Sequence, residues 1–262
     1  MAAMADLAAR AAELRALHIP GDPLVLVNVW DVASARTVAG APGCRAIATA
    51  SWGIAAAHGY ADGERIPFEL MRAAVERIAA AVELPVTADL ESGYGETPQQ
   101  VAETVARAIA AGAVGANLED RMKPAAEHAA VVAAVRARAE GEGVPFVINA
   151  RSDEYLLGER RLEHALEHGR AYLDAGADCI FVPGISELGE IEQLAGELDA
   201  PVNVLAAPGL PSLTELAAAG VARVSVGPGG LGVASAALAA AAERLLARGD
   251  YPPELGHRPP AG

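Results

Sequence analysis

The segment Asp89-Leu90-Glu91-Ser92-Gly93-Tyr94-Gly95 places two carboxylates two residues apart at the end of an apolar run, Val86–Leu90. Residues i and i+2 of a strand point the same way, so Asp89 and Glu91 are expected to face one site. Glu119 follows a second apolar run, Val114–Leu118, and brings a third carboxylate. Acids held that close repel one another unless protons or a cation compensate. Hard oxygen ligands with room for water suit Mg2+, with Mn2+ as an alternative. Asp89, Glu91 and Glu119 are therefore candidate metal ligands. A plainer reading makes Asp89 the cap of the next helix and pairs the glutamate with Arg121. Arg151 closes a further run, Phe146–Ala150, and can grip a carboxylate or phosphonate through two N–H groups at once. It can equally serve as the counter-charge for the neighbouring acids; the two roles are compatible.

Other chemistry-bearing residues are less committed. His164 and His168 stand four apart in His-Ala-Leu-Glu-His, without the glutamate placement of a zinc protease helix, and read as a solvated helix face. Gly227-Pro228-Gly229-Gly230 opens a helix and suits either phosphate binding or an ordinary turn. Cys44 and Cys179 form no CxxC pair and read as structural thiols.

The elements that must position these groups are eight short apolar runs: Leu24–Trp30, Arg45–Ala50, Val86–Leu90, Val114–Leu118, Phe146–Ala150, Cys179–Val182, Val202–Leu205 and Arg223–Val226. Such continuous runs mark parallel strands buried on both faces. Helical stretches separate them, one with Phe68, Met71, Val75, Ile78 and Val82 on a single face. Pro23, Pro85, Pro145 and Pro201 precede the odd-numbered runs. Ala-Gly pairs ending at Gly40, Gly112, Gly176 and Gly220 precede the even ones, where glycine suits the left-handed end of a helix. Eight βα units without a break in composition predict one (β/α)8 TIM barrel over residues 1–262, with an N-terminal helix at about 4–17 and a tail at about 249–262. Catalytic groups then belong on the rim formed by the strand C-termini, where the acids, Arg151, Asn28 and Asn203 all fall.

The chain has 262 residues and a formal net charge of −14. That charge disfavours nucleic acid and anionic membrane surfaces as partners. No signal peptide and no uninterrupted run of 18 apolar residues is seen, which predicts a cytoplasmic protein that does not span a membrane.

In these motifs the sequence resembles the phosphoenolpyruvate mutase/isocitrate lyase superfamily, from Asn28 to Gly227. Asp89 to Gly95 is similar to the family's Asp-x-Asp-x-Gly-Tyr-Gly loop, Leu118-Glu119-Asp120 to its Leu-Glu-Asp motif, and Ala150-Arg151-Ser152-Asp153 to a strand end. Gly59-Tyr60-Ala61-Asp62 resembles its gating loop. The resemblance implies Mg2+ on Asp89 and, partly through water, on Glu91 and Glu119. It implies a small anionic 2-oxo-acid or phosphonate substrate, bound near Ser51, Trp52 and Gly53, at Arg151 and at Asn203, with Asp62 and Arg151 as catalytic residues. It also implies a homo-oligomer, a dimer or tetramer, with the last helix expected at Leu231–Ala247. The departures matter. No Lys-Lys/Arg-Cys-Gly-His loop follows Glu119, and Pro183 stands where mutases have histidine. A carbon–carbon lyase needs an acid to protonate C3, which is the usual task of that cysteine. The expectation is therefore a phosphonomutase-like enzyme acting at C3 of a pyruvate enolate. The alternatives are a methylisocitrate lyase- or oxaloacetate decarboxylase-like enzyme with another acid, such as Tyr94 or water, and a non-catalytic 2-oxo-acid-binding barrel.

Overall fold

The computed structural model describes residues 2–247 and 249–257. All eight apolar runs form strands, and the first is parted at Val27 into β1 (Leu24–Leu26) and β2 (Asn28–Val29). There follow β3 (Ile47–Thr49), β4 (Val86–Asp89), β5 (Gly115–Glu119), β6 (Val147–Arg151), β7 (Cys179–Phe181), β8 (Val202–Leu205) and β9 (Arg223–Ser225). Every pairing is parallel, in the order β1-β9-β8-β7-β6-β5-β4-β3-β2. Since β1 pairs with β9 and β2 with β3, the parted strand carries the sheet round into a (β/α)8 barrel.

The seam is sewn by one side chain. Asn28 Oδ1 accepts hydrogen bonds from the backbone N–H groups of Val226 (3.0 Å) and Gly227 (2.8 Å), while its Nδ2 donates to the Thr49 carbonyl (2.8 Å). A buried carboxamide thus ties β9 and β3 together across the break at Val27, adding to the Val226 N–H bond to the Leu26 carbonyl (3.2 Å).

The helices are α1 (Ala2–Ala16), α2 (Val32–Ala39), α3 (Ser51–Ala57), α4 (Phe68–Ala80), α5 (Pro98–Ala110), α6 (Ala125–Gly141), α7 (Leu162–Asp174), α8 (Leu188–Leu198), α9 (Leu213–Ala218) and α10 (Gly229–Leu246). Thr97 caps α5 reciprocally with Gln100, and Pro98 takes its first position, where a missing N–H costs nothing. Met71, Val75 and Ile78 of α4 are buried, as their spacing requires. Gly112, Gly176 and Gly220 take left-handed φ values of 98°, 104° and 83°. Gly40 departs from the pattern, ending α2 at φ −77°. α1 packs at the strand N-termini, and Gly115 lacks the Cβ that would collide with Leu14.

The last helix stands apart. None of α10 is buried, and Val233, Leu238 and Leu246 are exposed. Val25 and Val27, on the outward face of the parted strand, are also exposed. The sequence reading foresaw no membrane-length apolar segment. However, α10 has 18 residues of mean hydropathy 1.2, and only Glu243 and Arg244 within it are charged, so by length and composition it could cross a bilayer.

Candidate active site

The strand C-termini enclose a cavity of about 220 Å³. Asn28, Ser51, Trp52, Asp62, Asp89, Asn117 and Arg151 line it, with Phe181, Pro183, Ser225, Gly227 and Pro228 completing the wall. Of the residues singled out in the sequence, it gathers Ser51, Trp52, Asp62, Asp89 and Arg151.

Asp89 ends β4. Its Oδ2 accepts from the Ser51 amide (3.1 Å) and hydroxyl (2.8 Å) at the start of the preceding α3, rather than capping the next helix, which Thr97 caps. Its Oδ1 has only a 3.5 Å contact from the Glu91 amide. Glu91 sits at φ 53° and turns away from the cavity, where Oε2 accepts from the Glu64 amide (2.6 Å) and Oε1 from the Tyr94 phenol (3.2 Å). Arg121 bridges the two glutamates, at 3.3 Å from Glu91 and 3.0 Å from Glu119. Burial, then Asp62 and Asp89, push Glu91 up to about 7. Burial also pushes Glu119 up to about 7, against the pull of Arg151.

This corrects the expectation that Asp89, Glu91 and Glu119 face one site. Among the described residues no three acids, histidines or cysteines close on one point. Asp89 alone of the three lines the cavity, and the pairing of glutamate with Arg121 is real. The donors nevertheless fit a hard divalent cation. Asp89 keeps one oxygen nearly free on the cavity side, and it is a hard carboxylate donor.

Arg151 is held from two sides. Its guanidinium meets Glu119 Oε2 at 2.8 Å and Asp153 Oδ1 at 2.7 Å, and it lies over the Phe181 ring. The fully buried Asp120 fixes the loops that carry these groups. Its Oδ1 accepts from the amides of Met122 (3.0 Å) and Asp153 (3.1 Å), and its Oδ2 from Tyr172 (2.7 Å) and His168 (2.9 Å). Burial opposes its ionisation, yet His168, Tyr172 and the two amides hold it below the usual carboxylate range. His168 is therefore no solvated face: it is half-buried on α7 and orients Asp120.

The segment around Asp62 reaches the cavity wall. Glu64, which the sequence reading missed, accepts from Ser92 Oγ (2.7 Å) and the Tyr94 amide (2.8 Å) and so pins the Asp62 loop to the Asp89–Gly95 turn. That turn needs Gly93, at φ 100°, because an added Cβ would run into Val101. Three expected contacts fall elsewhere. Gly53 packs against Trp30 rather than the cavity. Asn203 is fully buried and exchanges hydrogen bonds with Ser225, which lines the wall in its place. The Ser51 amide is spent on Asp89. Neither thiol lines the cavity, and burial pushes Cys179 up to about 12 and raises Cys44.

A closed parallel barrel with its polar groups gathered at the C-terminal rim is the arrangement in which barrel enzymes carry their active sites. The family model for phosphoenolpyruvate phosphomutase matches residues 14–246. The chain belongs to that family, within the phosphoenolpyruvate mutase/isocitrate lyase superfamily of mutases and lyases. An uncharacterized Mycobacterium tuberculosis (strain H37Rv) protein is 36% identical over 232 residues, 86% of each chain. The 2-methylisocitrate lyase of Escherichia coli K12 is 30% identical over 208 residues, 71% of this chain and 69% of its own. A solved Burkholderia cenocepacia J2315 protein, provisionally designated a phosphonomutase, is 45% identical with a TM-score of 0.87, covering 91% of this chain and 99% of its own. Oxaloacetate acetylhydrolase with its product oxalate aligns at 27% identity and a TM-score of 0.85, over 95% and 91%.

Proposed function

We propose that this enzyme interconverts phosphoenolpyruvate and phosphonopyruvate, or rearranges a related carbon–phosphorus bond, at C3 of a pyruvate enolate. The observation that carries this choice is a cavity with Asp62, Asp89 and Arg151 in its wall and no cysteine, histidine or tyrosine among its lining residues to serve as the usual proton donor to carbon. Cleaving a carbon–carbon bond leaves a C3 carbanion that needs a proton. Neither thiol lines the cavity, and the Tyr94 phenol is donated to Glu91. Phosphoryl migration needs charge neutralisation and alignment instead. The cavity, about 220 Å³, lies below the roughly 300–1,000 Å³ of common ligand pockets, which suits a three-carbon acid better than a tricarboxylate.

Mg2+, or Mn2+, held by Asp89 and through water by Glu91 and Glu119, would supply Lewis-acid stabilisation of the substrate's C2 oxygen. Arg151, kept rigid by Glu119 and Asp153, binds the anionic end of the substrate. Asp62 and Trp52 cover the cavity and exclude water. A lyase or decarboxylase acting on a 2-oxo or 2-hydroxy di- or tricarboxylic acid is the second reading. The lyase relatives favour it, and it requires water as the acid.

The exposed face of α10 and the uncovered Val25 and Val27 support a homo-oligomer, in which a helix of one copy covers the bare strand of another. The same burial reads α10 as a protein contact in the cytoplasm rather than a membrane span. The test of function is incubation with Mg2+ and phosphonopyruvate, oxaloacetate or 2-alkylmalates, followed by phosphorus NMR and by pyruvate release. Phosphoenolpyruvate formation, lost in Asp89→Ala, is expected. Pyruvate release from oxaloacetate or a malate, with no phosphorus product, overturns the mutase reading in favour of the second.

A further inference from the structure

Asn117 on β5 is 6% exposed, and it lines the cavity beside its register neighbour Asp89. Its Oδ1 accepts from Asn149 Nδ2 (2.6 Å) and Arg223 Nη2 (3.1 Å). Two facing asparagines can exchange donor and acceptor roles, but Arg223 removes that freedom. A guanidinium donates and never accepts, so the Asn117 atom facing it is the carbonyl oxygen. The NH2 group therefore points away from both partners, and it has no hydrogen-bond partner among the described residues.

Arg223 is an expensive anchor. It is fully buried, and no carboxylate lies within ion-pair distance among the described residues. Its other close neighbour is the buried ring of His18, at 3.5 Å. That ring commits Nδ1 to the Leu14 carbonyl, so Nε2 is left as an acceptor. Burying an unpaired cation is costly, and barrel interiors are usually filled with branched apolar residues.

We propose that Asn117 is a substrate-binding residue whose Nδ2–H donates to an oxyanion of a small carboxylic acid deep in the cavity, and that Arg223 is the positioning residue that fixes the carboxamide in that orientation. This rests on the reading of the cavity as a small oxyacid site.

Oxalate serves as the ligand, titrated calorimetrically into the full-length protein with Mg2+ present, and Mg2+ binding is titrated separately. Asn117→Leu removes the donor without adding charge, and Asn117→Asp keeps an acceptor for Arg223. Both are expected to weaken oxalate by about 10- to 100-fold, the range for losing a hydrogen bond to a charged group, while Asn117→Leu leaves Mg2+ binding unchanged. Arg223→Met weakens oxalate about 5-fold or more on the wild-type background and adds nothing on Asn117→Leu, whereas Arg223→Lys retains binding. If Arg223→Met does not fold, the two Asn117 variants decide the matter alone. Oxalate affinity within about 2-fold of wild type in both, with Asp89→Ala still abolishing it, overturns this inference and leaves the site standing. Oxalate binding that is absent, or indifferent to Asp89→Ala, overturns the reading of the cavity and this inference with it.

Discussion

Asp120→Asn tests how firmly the rim loops are held. The substitution is isosteric, so it leaves no cavity. Four donors converge on the aspartate's two oxygens: two amides on Oδ1, and Tyr172 and His168 on Oδ2. Asparagine offers one oxygen, so two donors must face an NH2 group. Tyr172 and His168 can turn to accept from that group, but all four hydrogen bonds change from a charged acceptor, worth about 1.5–3 kcal/mol each, to neutral partners, worth about 0.5–1.5, so at roughly 1 kcal/mol apiece the loss is about 3–5 kcal/mol. At roughly 2–4 °C per kcal/mol for a chain of this size, Tm falls by about 6–20 °C in calorimetry. The Met122 and Asp153 amides also lose their anchor, so kcat drops by about tenfold or more while the barrel's far-ultraviolet signal persists. A Tm within about 2 °C of wild type, with turnover unchanged, would refute the claim that Asp120 organises the rim.

Iodoacetamide should leave turnover largely intact, because Cys179 is fully buried at about 12 and Cys44 lies outside the cavity; substrate-protectable inactivation contradicts this. Glu64→Ala, which unpins the gating loop, should lower kcat and raise proteolysis between residues 59 and 66 without changing Mg2+ affinity in titration calorimetry. Asp120 raises the pKa of His168, so that pair's stabilisation is full below the unfolded value of about 6.5 and is lost as pH rises through the higher folded value. The stability deficit of His168→Gln, from urea melts, should therefore be larger at about pH 5.5 than at about pH 9, and a flat difference counts against the pair. Leu238→Asp, on the bare face of α10, should reduce the assembly's mass in light scattering with no loss of helix content. Wild-type protein that is already monomeric contradicts the helix's assigned role.

The barrel was legible because parallel strands buried on both faces leave continuous apolar runs, and because three of four helix-ending glycines mark left-handed turns that nothing else tolerates cheaply. Asp89 and Arg151 were legible as strand-terminal polar residues. What stayed hidden depends on backbone that the residue types do not advertise. Glu91, Arg121 and Met122 adopt left-handed φ values of 53°, 48° and 62°, and those values aim Glu91 and Arg121 at each other rather than into the cavity. Strand alternation predicted the opposite for Glu91, since it assumes that the pleat continues past Asp89. His168 was misread because the spacing to His164 drew attention; the spacing to Tyr172, one turn on and fully buried, was the informative signal.

The stitch at Asn28 sets the order in which the enzyme can come into being during synthesis. Its acceptors and donors span the chain, from Thr49 to Gly227, and the same carboxamide lines the cavity. A nascent chain that already carries Asp89, Glu119 and Arg151 still has an open sheet and an unfinished cavity wall. Ring closure and completion of the catalytic chamber are thus one late event, reached only after β9 and Gly227 have left the ribosome. A chain that stops short of β9 therefore carries Asp89, Glu119 and Arg151 but no closed wall around them.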